Sequence, residues 1–296
     1  DGEMCESEVT YAISGASASG YTSLEWTTDG TGTFSSIFAI NPTYTPSQSD
    51  IENGQVVLTM NAYGDGYCPD ASDFMVLTIW ESAVVYAGAD SETCEDSPYQ
   101  ILDAVAENYV SLLWTTSGDG TFDDPAMLSP VYTPGPNDIA GGSVVLTLTA
   151  EGMGNCPAIS DELNLMVTSA PEASAGPNAQ ICETDVFPIG AASASNYASV
   201  NWTSSGDGTF DDPNAVNPVY TPGSGDINLG TTVLTITAYG NGSCGDASDQ
   251  MTLSIAGAAF AYAGGDAEIC EGSDFFIENA IAESFSLIEW STSGEG

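Results

Sequence analysis

"WTTSGDGTFDDP" occupies Trp114–Pro125, and the chain repeats it as "WTSSGDGTFDDP" over Trp202–Pro213. A block with aspartates around a Gly-Thr-Phe centre admits two readings: a metal loop or active site, or a turn in a repeated domain. The wider register bears on the choice. Trp26, Trp114, Trp202 and Trp290 are spaced by 88 residues each time. Phe34, Phe122 and Phe210 keep that spacing, as do Tyr44, Tyr132 and Tyr220, then Asp50, Asp138 and Asp226. Cys68, Cys156 and Cys244 follow it too, while the leading cysteines Cys5, Cys94, Cys182 and Cys270 are spaced 89, 88 and 88. A fixed period of this length marks a tandem array of small domains.

Within each period the pattern is that of strands. "VVLTMNAYG", "VVLTLTAEG" and "TVLTITAYG" alternate apolar residues with threonine or other polar ones, the period-2 signature of a half-buried strand. "DFMVLTI", "DELNLMVT" and "DQMTLSI" read alike, and "LEWTT", "LLWTT" and "VNWTS" form a third strand carrying the tryptophan. Gly, Pro, Ser, Asn and Asp fill the segments between and punctuate turns. The segments "SDIENG", "NDIAGG" and "GDINLG" leave room for one short 3₁₀ turn capped by Asp. About seven short strands around a central Trp predict an all-β chain of immunoglobulin-like β-sandwiches in a linear rod. The expected domains are 1–83, 84–171 and 172–259, with a partial repeat over 260–296. Their short Ala/Gly/Pro junctions predict semi-rigid coupling. A chain that opens just before a cysteine and stops at "WSTSGEG" reads as a stretch of a longer fibre.

Composition removes most functions. The 296 residues include 42 acidic side chains and no Lys, Arg or His, for a formal charge of -42. Phosphate contacts to nucleic acid require cations, so nucleic acid is excluded as a partner, and so are anionic membrane surfaces. Ser-His-Asp, Cys-His and lysine nucleophiles cannot be assembled. Paired carboxylates are the one catalytic option left, and serial copies of such a site on sandwiches without clefts argue against an enzyme. No apolar run is long enough to span a bilayer, so no membrane insertion is expected within these residues. An apolar fraction of 42% is that of a folded chain.

The cysteines predict an oxidising, extracellular setting. Pairing within domains gives Cys5–Cys68, Cys94–Cys156 and Cys182–Cys244, and leaves Cys270 without a partner. The weighed alternative links Cys68 to Cys94 and Cys156 to Cys182 across a junction. Placing Cys68 at the end of the sandwich near its own N-terminus favours the first scheme. Lysine-dependent isopeptide staples are impossible here, which leaves disulfides as the covalent cross-link.

Calcium is the one cofactor that Asp119, Asp123, Asp124 and their copies Asp207, Asp211 and Asp212 could take. The spacing is not that of an EF-hand. The first repeat has "TDGTGTFSSIF" at the same place, retaining Gly32, Thr33 and Phe34 without the three acids. The structural-turn reading is therefore preferred to calcium. The Trp and Tyr series read as core, Asp50, Asp138 and Asp226 as turn caps, and Trp80, which does not recur, as a junction or exposed residue. Asn201 and Asn241 stand in glycosylation sequons.

The stretch "ICETDVFPIGAASASNYASVNWTSSGDGTFDDPNAVNPVYTPGSGDINLGTTVLTITAYGNGSC" resembles the tandem repeats of giant cell-surface adhesins of gliding Bacteroidota. The resemblance runs along the whole chain. It implies a surface filament exported by the type IX system, with the repeats serving as spacers and carrying no catalytic residues. The expected function is a stalk that holds an adhesive tip away from the cell. Its partners would be neighbouring repeats, other filament chains or surface polysaccharide. The competing expectation is a tandem module binding carbohydrate or calcium.

Overall fold

The structure, a computed structural model, describes residues 1–294. It is all-β apart from three single-turn helices, and it forms tandem immunoglobulin-like sandwiches. The chain divides into two compact units, Asp1–Val167 and Thr168–Gly296.

In the first unit, the first sandwich has a four-stranded sheet in the order Gly2–Cys5, Ala71–Trp80, Gln55–Tyr63, Ser23–Thr28. Gly2–Cys5 runs parallel to its neighbour, with Cys5 in register with Trp80; the other pairs are antiparallel. A three-stranded sheet of Tyr11–Ala12, Thr43–Thr45 and Thr33–Phe34 faces it. The second sandwich repeats both sheets, with Ser143–Gly152 central in the larger and Val131–Thr133 central in the smaller. It adds a short ladder between Val84–Tyr86 and Val105–Glu107.

In the second unit, Ala179–Cys182, Ala247–Ala256, Thr231–Tyr239 and Ser199–Ser204 form the larger sheet. Phe187–Pro188, Val219–Thr221 and Thr209–Phe210 form the smaller. Beyond them Phe260–Tyr262 pairs with Ile281–Glu283.

The alternation read in the sequence is the alternation of burial. Val144, Leu146, Leu148 and Ala150 all point into the second core, and Val145, Thr147 and Thr149 do not. Between the sheets a ladder of aromatic rings crosses each core. Trp114 lies 5.8 Å from Phe122, and Phe122 lies 4.9 Å from Tyr132. The corresponding distances are 5.8 and 5.0 Å for Trp26, Phe34 and Tyr44, and 5.9 and 4.9 Å for Trp202, Phe210 and Tyr220. Tilted rings at these separations lie within the favourable range for aromatic pairs. The Gly-Thr-Phe centre of the repeated block thus delivers the phenylalanine that couples one sheet to the other.

The segments expected to hold a 3₁₀ turn are α-helical: Gln48–Asn53, Pro136–Gly141 and Ser224–Leu229. Each stops at a left-handed glycine, Gly54, Gly142 or Gly230. That residue's N–H reaches the carbonyls both three and four residues back. This C-terminal glycine device closes an α-turn and ends it at once.

Candidate functional site: a buried aspartate turn and a cross-linked repeat junction

The third residue of each short helix is a buried aspartate, and it organises the repeated block. Asp138 Oδ2 accepts the Tyr132 hydroxyl at 2.7 Å, Gly120 N–H at 3.0 Å and Gly135 N–H at 2.9 Å. Its Oδ1 accepts Asp119 N–H at 3.2 Å. Asp50 repeats the set with Tyr44, Gly32, Ser47 and Thr31. Asp226 takes Tyr220, Gly208 and Gly223. A Cβ on Gly118 would strike the Asp138 carboxylate, and one on Gly120 would strike the Tyr132 ring. The Gly-Asp-Gly spelling is what lets the turn close over the aspartate.

Burial pushes the Asp50 and Asp138 carboxyls up, but the backbone N–H donors and the tyrosine hydroxyl outweigh it and hold both below the usual carboxylate range. The partner tyrosines move the other way. Burial first, reinforced by the neighbouring carboxylate, pushes Tyr44 and Tyr132 up to about 12 and raises Tyr220.

The six acids of the block stand outside this core and cap backbone amides. Asp119 Oδ1 accepts Asn137 N–H at 3.0 Å, and Asp207 accepts Gly225 and Asp226 N–H. Asp123 accepts Val131 N–H at 2.8 Å, and Asp211 accepts Val219 N–H at 2.7 Å. Asp124 and Asp212 cap Ala126 and Asn214. In the first repeat hydroxyls do equivalent work. Ser35 accepts Thr43 N–H, Ser36 accepts Phe38 N–H, and Thr31 bonds Ser47 and Ser49 at the helix start. Among the described residues no group of three or more His, Cys, Asp or Glu side chains is placed to hold a metal ion.

The cysteines overturn the pairing within domains. Cys5 is bonded to Cys156 of the next repeat, with their Cα atoms 4.8 Å apart. Cys68 and Cys182 are free thiols, as is Cys270. Cys94 and Cys244 are disulfide-bonded, so neither Cys94–Cys156 nor Cys182–Cys244 forms. The alternative of Cys68–Cys94 and Cys156–Cys182 fails as well. The reason is strand direction. Because Gly2–Cys5 runs parallel to Ala71–Trp80, Cys5 lies at the Trp80 end, whereas Cys68 precedes Ala71 at the other. The nine residue steps of that strand separate the ends by about 30 Å, far beyond the reach of a disulfide.

Around that bond the first two repeats interlock. Asn155 Nδ2 donates to Glu3 O at 3.1 Å, and Asn108 Nδ2 donates to Ser82 O at 3.4 Å. Ser82 N–H is held by Glu6 at 2.9 Å. The Trp80 indole lies so close to Gly154 that a Cβ there would collide with it, and its Nε1 donates to Glu3 at 3.3 Å. Trp80 is thus a junction residue. Sequence reasoning missed Gly154 and Asn155; the recurrence of positive-φ glycine before the loop cysteine, at Gly66, Gly154 and Gly242, was the available signal.

The fold and junction define a tandem immunoglobulin-like repeat chain. No protein-family profile and no curated protein matches the sequence. Among solved structures, the I-band fragment I67–I69 of titin is similar at 13% identity and a TM-score of 0.49, over 78% of this chain and 87% of that one. Mouse cadherin-23 EC22–24 is similar at 11% identity and a TM-score of 0.37, over 87% and 95%. Sidekick-1 immunoglobulin domains 1–4 follow at 10% and 0.38, over 86% and 73%. No helix of the described residues is long and apolar enough to cross a membrane.

Proposed function

We propose that these repeats form a load-bearing stalk of an extracellular surface filament, holding an adhesive tip away from the cell. The observation that carries the reading is the Cys5–Cys156 bond, which ties one repeat to the next instead of closing a single domain. The positions that recur are spent on the core, on the aspartate turn or on a cysteine. The acids that first suggested chemistry serve as amide caps, so no catalytic role is proposed for them. The charge of -42 supports extension and keeps like chains apart at low salt, with screening confining the effect to roughly 8 Å at physiological ionic strength.

Force spectroscopy tests this directly. With the full chain held at Asp1 and Val167, the bond shields a span of 151 residues from the pull. Reduction should therefore lengthen the fully extended trace by roughly 500 Å at about 3.3 Å per residue. Equal traces with and without reductant would refute the stapled stalk.

A further inference from the structure

The outer face of the third repeat's larger sheet is uncharged, in a chain with 42 acidic side chains and no Lys, Arg or His. Along Thr231–Tyr239 burial alternates, and it turns Val233, Thr235, Thr237 and Tyr239 outward. The register builds two rows across three strands: Asn201, Thr237 and Ser248, then Thr203, Thr235 and Gln250. Tyr239 closes the face at one end and is 41% exposed. The one acid in the four strands, Asp249, is turned away and accepts Ala175 N–H at 2.8 Å.

The other two repeats carry acids on this face, and those acids take up neighbouring donors. In the first, Glu25 stands where Asn201 does and accepts the Tyr63 hydroxyl at 3.1 Å. In the second, Glu162 stands where Gln250 does and accepts Thr147 Oγ1 at 3.4 Å, while Glu151 stands in the place of Tyr239. A carboxylate can only accept, whereas the Asn201 and Gln250 amides both donate and accept. Among the described residues, Thr203, Thr235, Thr237, Ser248 and Gln250 make no side-chain hydrogen bond within the chain.

We propose that this face binds a neutral polysaccharide, laid along the hydroxyl and amide rows with a sugar ring against Tyr239. This adds a ligand to one repeat and goes beyond the stalk reading. Three features point to the class. Hydroxyls and amides match sugar hydroxyls, which also donate and accept, and the tyrosine ring offers an apolar plane with a polar tip. A polymer bearing carboxylates or sulfates would be repelled by the surrounding charge, and a cationic one would be drawn to the acids elsewhere. A second copy of the chain demands more surface than is present. Four strands about 4.8 Å apart, the longest of the central pair ten residues, span roughly 500 Å². A stable protein interface covers about 800 Å² per partner.

Binding of the full chain to surfaces coated with hydroxyethylcellulose, galactomannan or, as the anionic control, polygalacturonate is followed by biolayer interferometry. Binding to at least one neutral polymer is expected, unchanged by added salt and absent on polygalacturonate. Ser248→Glu and Tyr239→Ala should each weaken it at least fivefold with circular dichroism unchanged, and Tyr239→Phe should retain most of it. Ser160→Glu, the same change at the matching position of the second repeat, should leave it as it is. No binding to either neutral polymer, equal binding to polygalacturonate, loss on adding salt, or equal weakening by Ser160→Glu overturns the proposal. So does a sedimentation experiment in which the chain dimerises and Ser248→Glu abolishes the dimer, which would give the face to a second copy. None of these variants touches Cys5 or Cys156, so failure here is distinct from failure of the stalk reading.

Discussion

The Tyr132 hydroxyl donates to Asp138 Oδ2 across 2.7 Å inside the second sandwich, and the pair recurs as Tyr44–Asp50 at 2.8 Å and Tyr220–Asp226 at 2.6 Å. One buried acid per repeat thereby fixes a tyrosine, a glycine turn and a helix start together.

That pair gives alkaline pH dependence its sign. Tyr44 and Tyr132 are pushed up to about 12 from the ordinary 10.0, so the folded state holds their protons where the unfolded chain releases them. Their contribution is fully present below pH 10 and is lost as pH rises toward 12. No Lys, Arg or His obscures the transition. A tyrosinate absorbance titration should show these tyrosines ionising only with unfolding. Ionisation of all tyrosines in one step near pH 10, with circular dichroism intact, would contradict the geometry.

The acid side has the opposite sign. Asp50 and Asp138 are held below their ordinary range, so their stabilisation is present above pH ~4 and is lost as pH falls through their depressed values. Asp138→Ala strips an acceptor from Gly120, Gly135 and Asp119 N–H and should cost about 3 kcal/mol or more. Asp123→Ser, which installs the residue that Ser35 already is, should change stability by less than about 1 kcal/mol. Urea melts of the two variants make the comparison.

Calcium is tested by the same logic. Changing Asp119→Thr, Asp123→Ser and Asp124→Ser together writes the first repeat's turn into the second. If the acids are amide caps alone, the response of the melting temperature to calcium should match that to magnesium and survive the triple change. A calcium-specific rise abolished by it would establish a bound ion.

Gly154 at the junction and Gly66 at the corresponding position of the first repeat form a matched pair. Alanine at either pays the left-handed backbone cost of about 1–2 kcal/mol. Only Gly154→Ala also meets Trp80. Differential scanning calorimetry should find Gly154→Ala the more damaging, and Trp80→Ala should partly relieve it.

The period, the aromatic core and the aspartate caps were legible in the sequence because each is a local device repeated in register. Trp114, Phe122 and Tyr132 recur since a sandwich core tolerates little change in volume. The turn role of Asp123 also had a signal there, in Ser35 at its place. The disulfide partners were not legible. They depend on whether the first strand runs parallel or antiparallel to the last, and four residues such as Gly2–Cys5 carry no pattern for direction. The choice moves Cys5 from one end of the sandwich to the other. The buried role of Asp138 was half visible: its capping position is local, whereas its bond to Tyr132 depends on the fold of the turn around it.

Closing a span of 151 residues contributes about 5 kcal/mol in the chain-entropy treatment, so reductant should lower the stability of the first two repeats together. The most direct test of the account is the disulfide map of the oxidised, folded chain, cut under non-reducing acidic conditions. The account predicts a peptide pair joining Cys5 to Cys156, with Cys68 recovered as a free thiol. A pair joining Cys5 to Cys68 would contradict it.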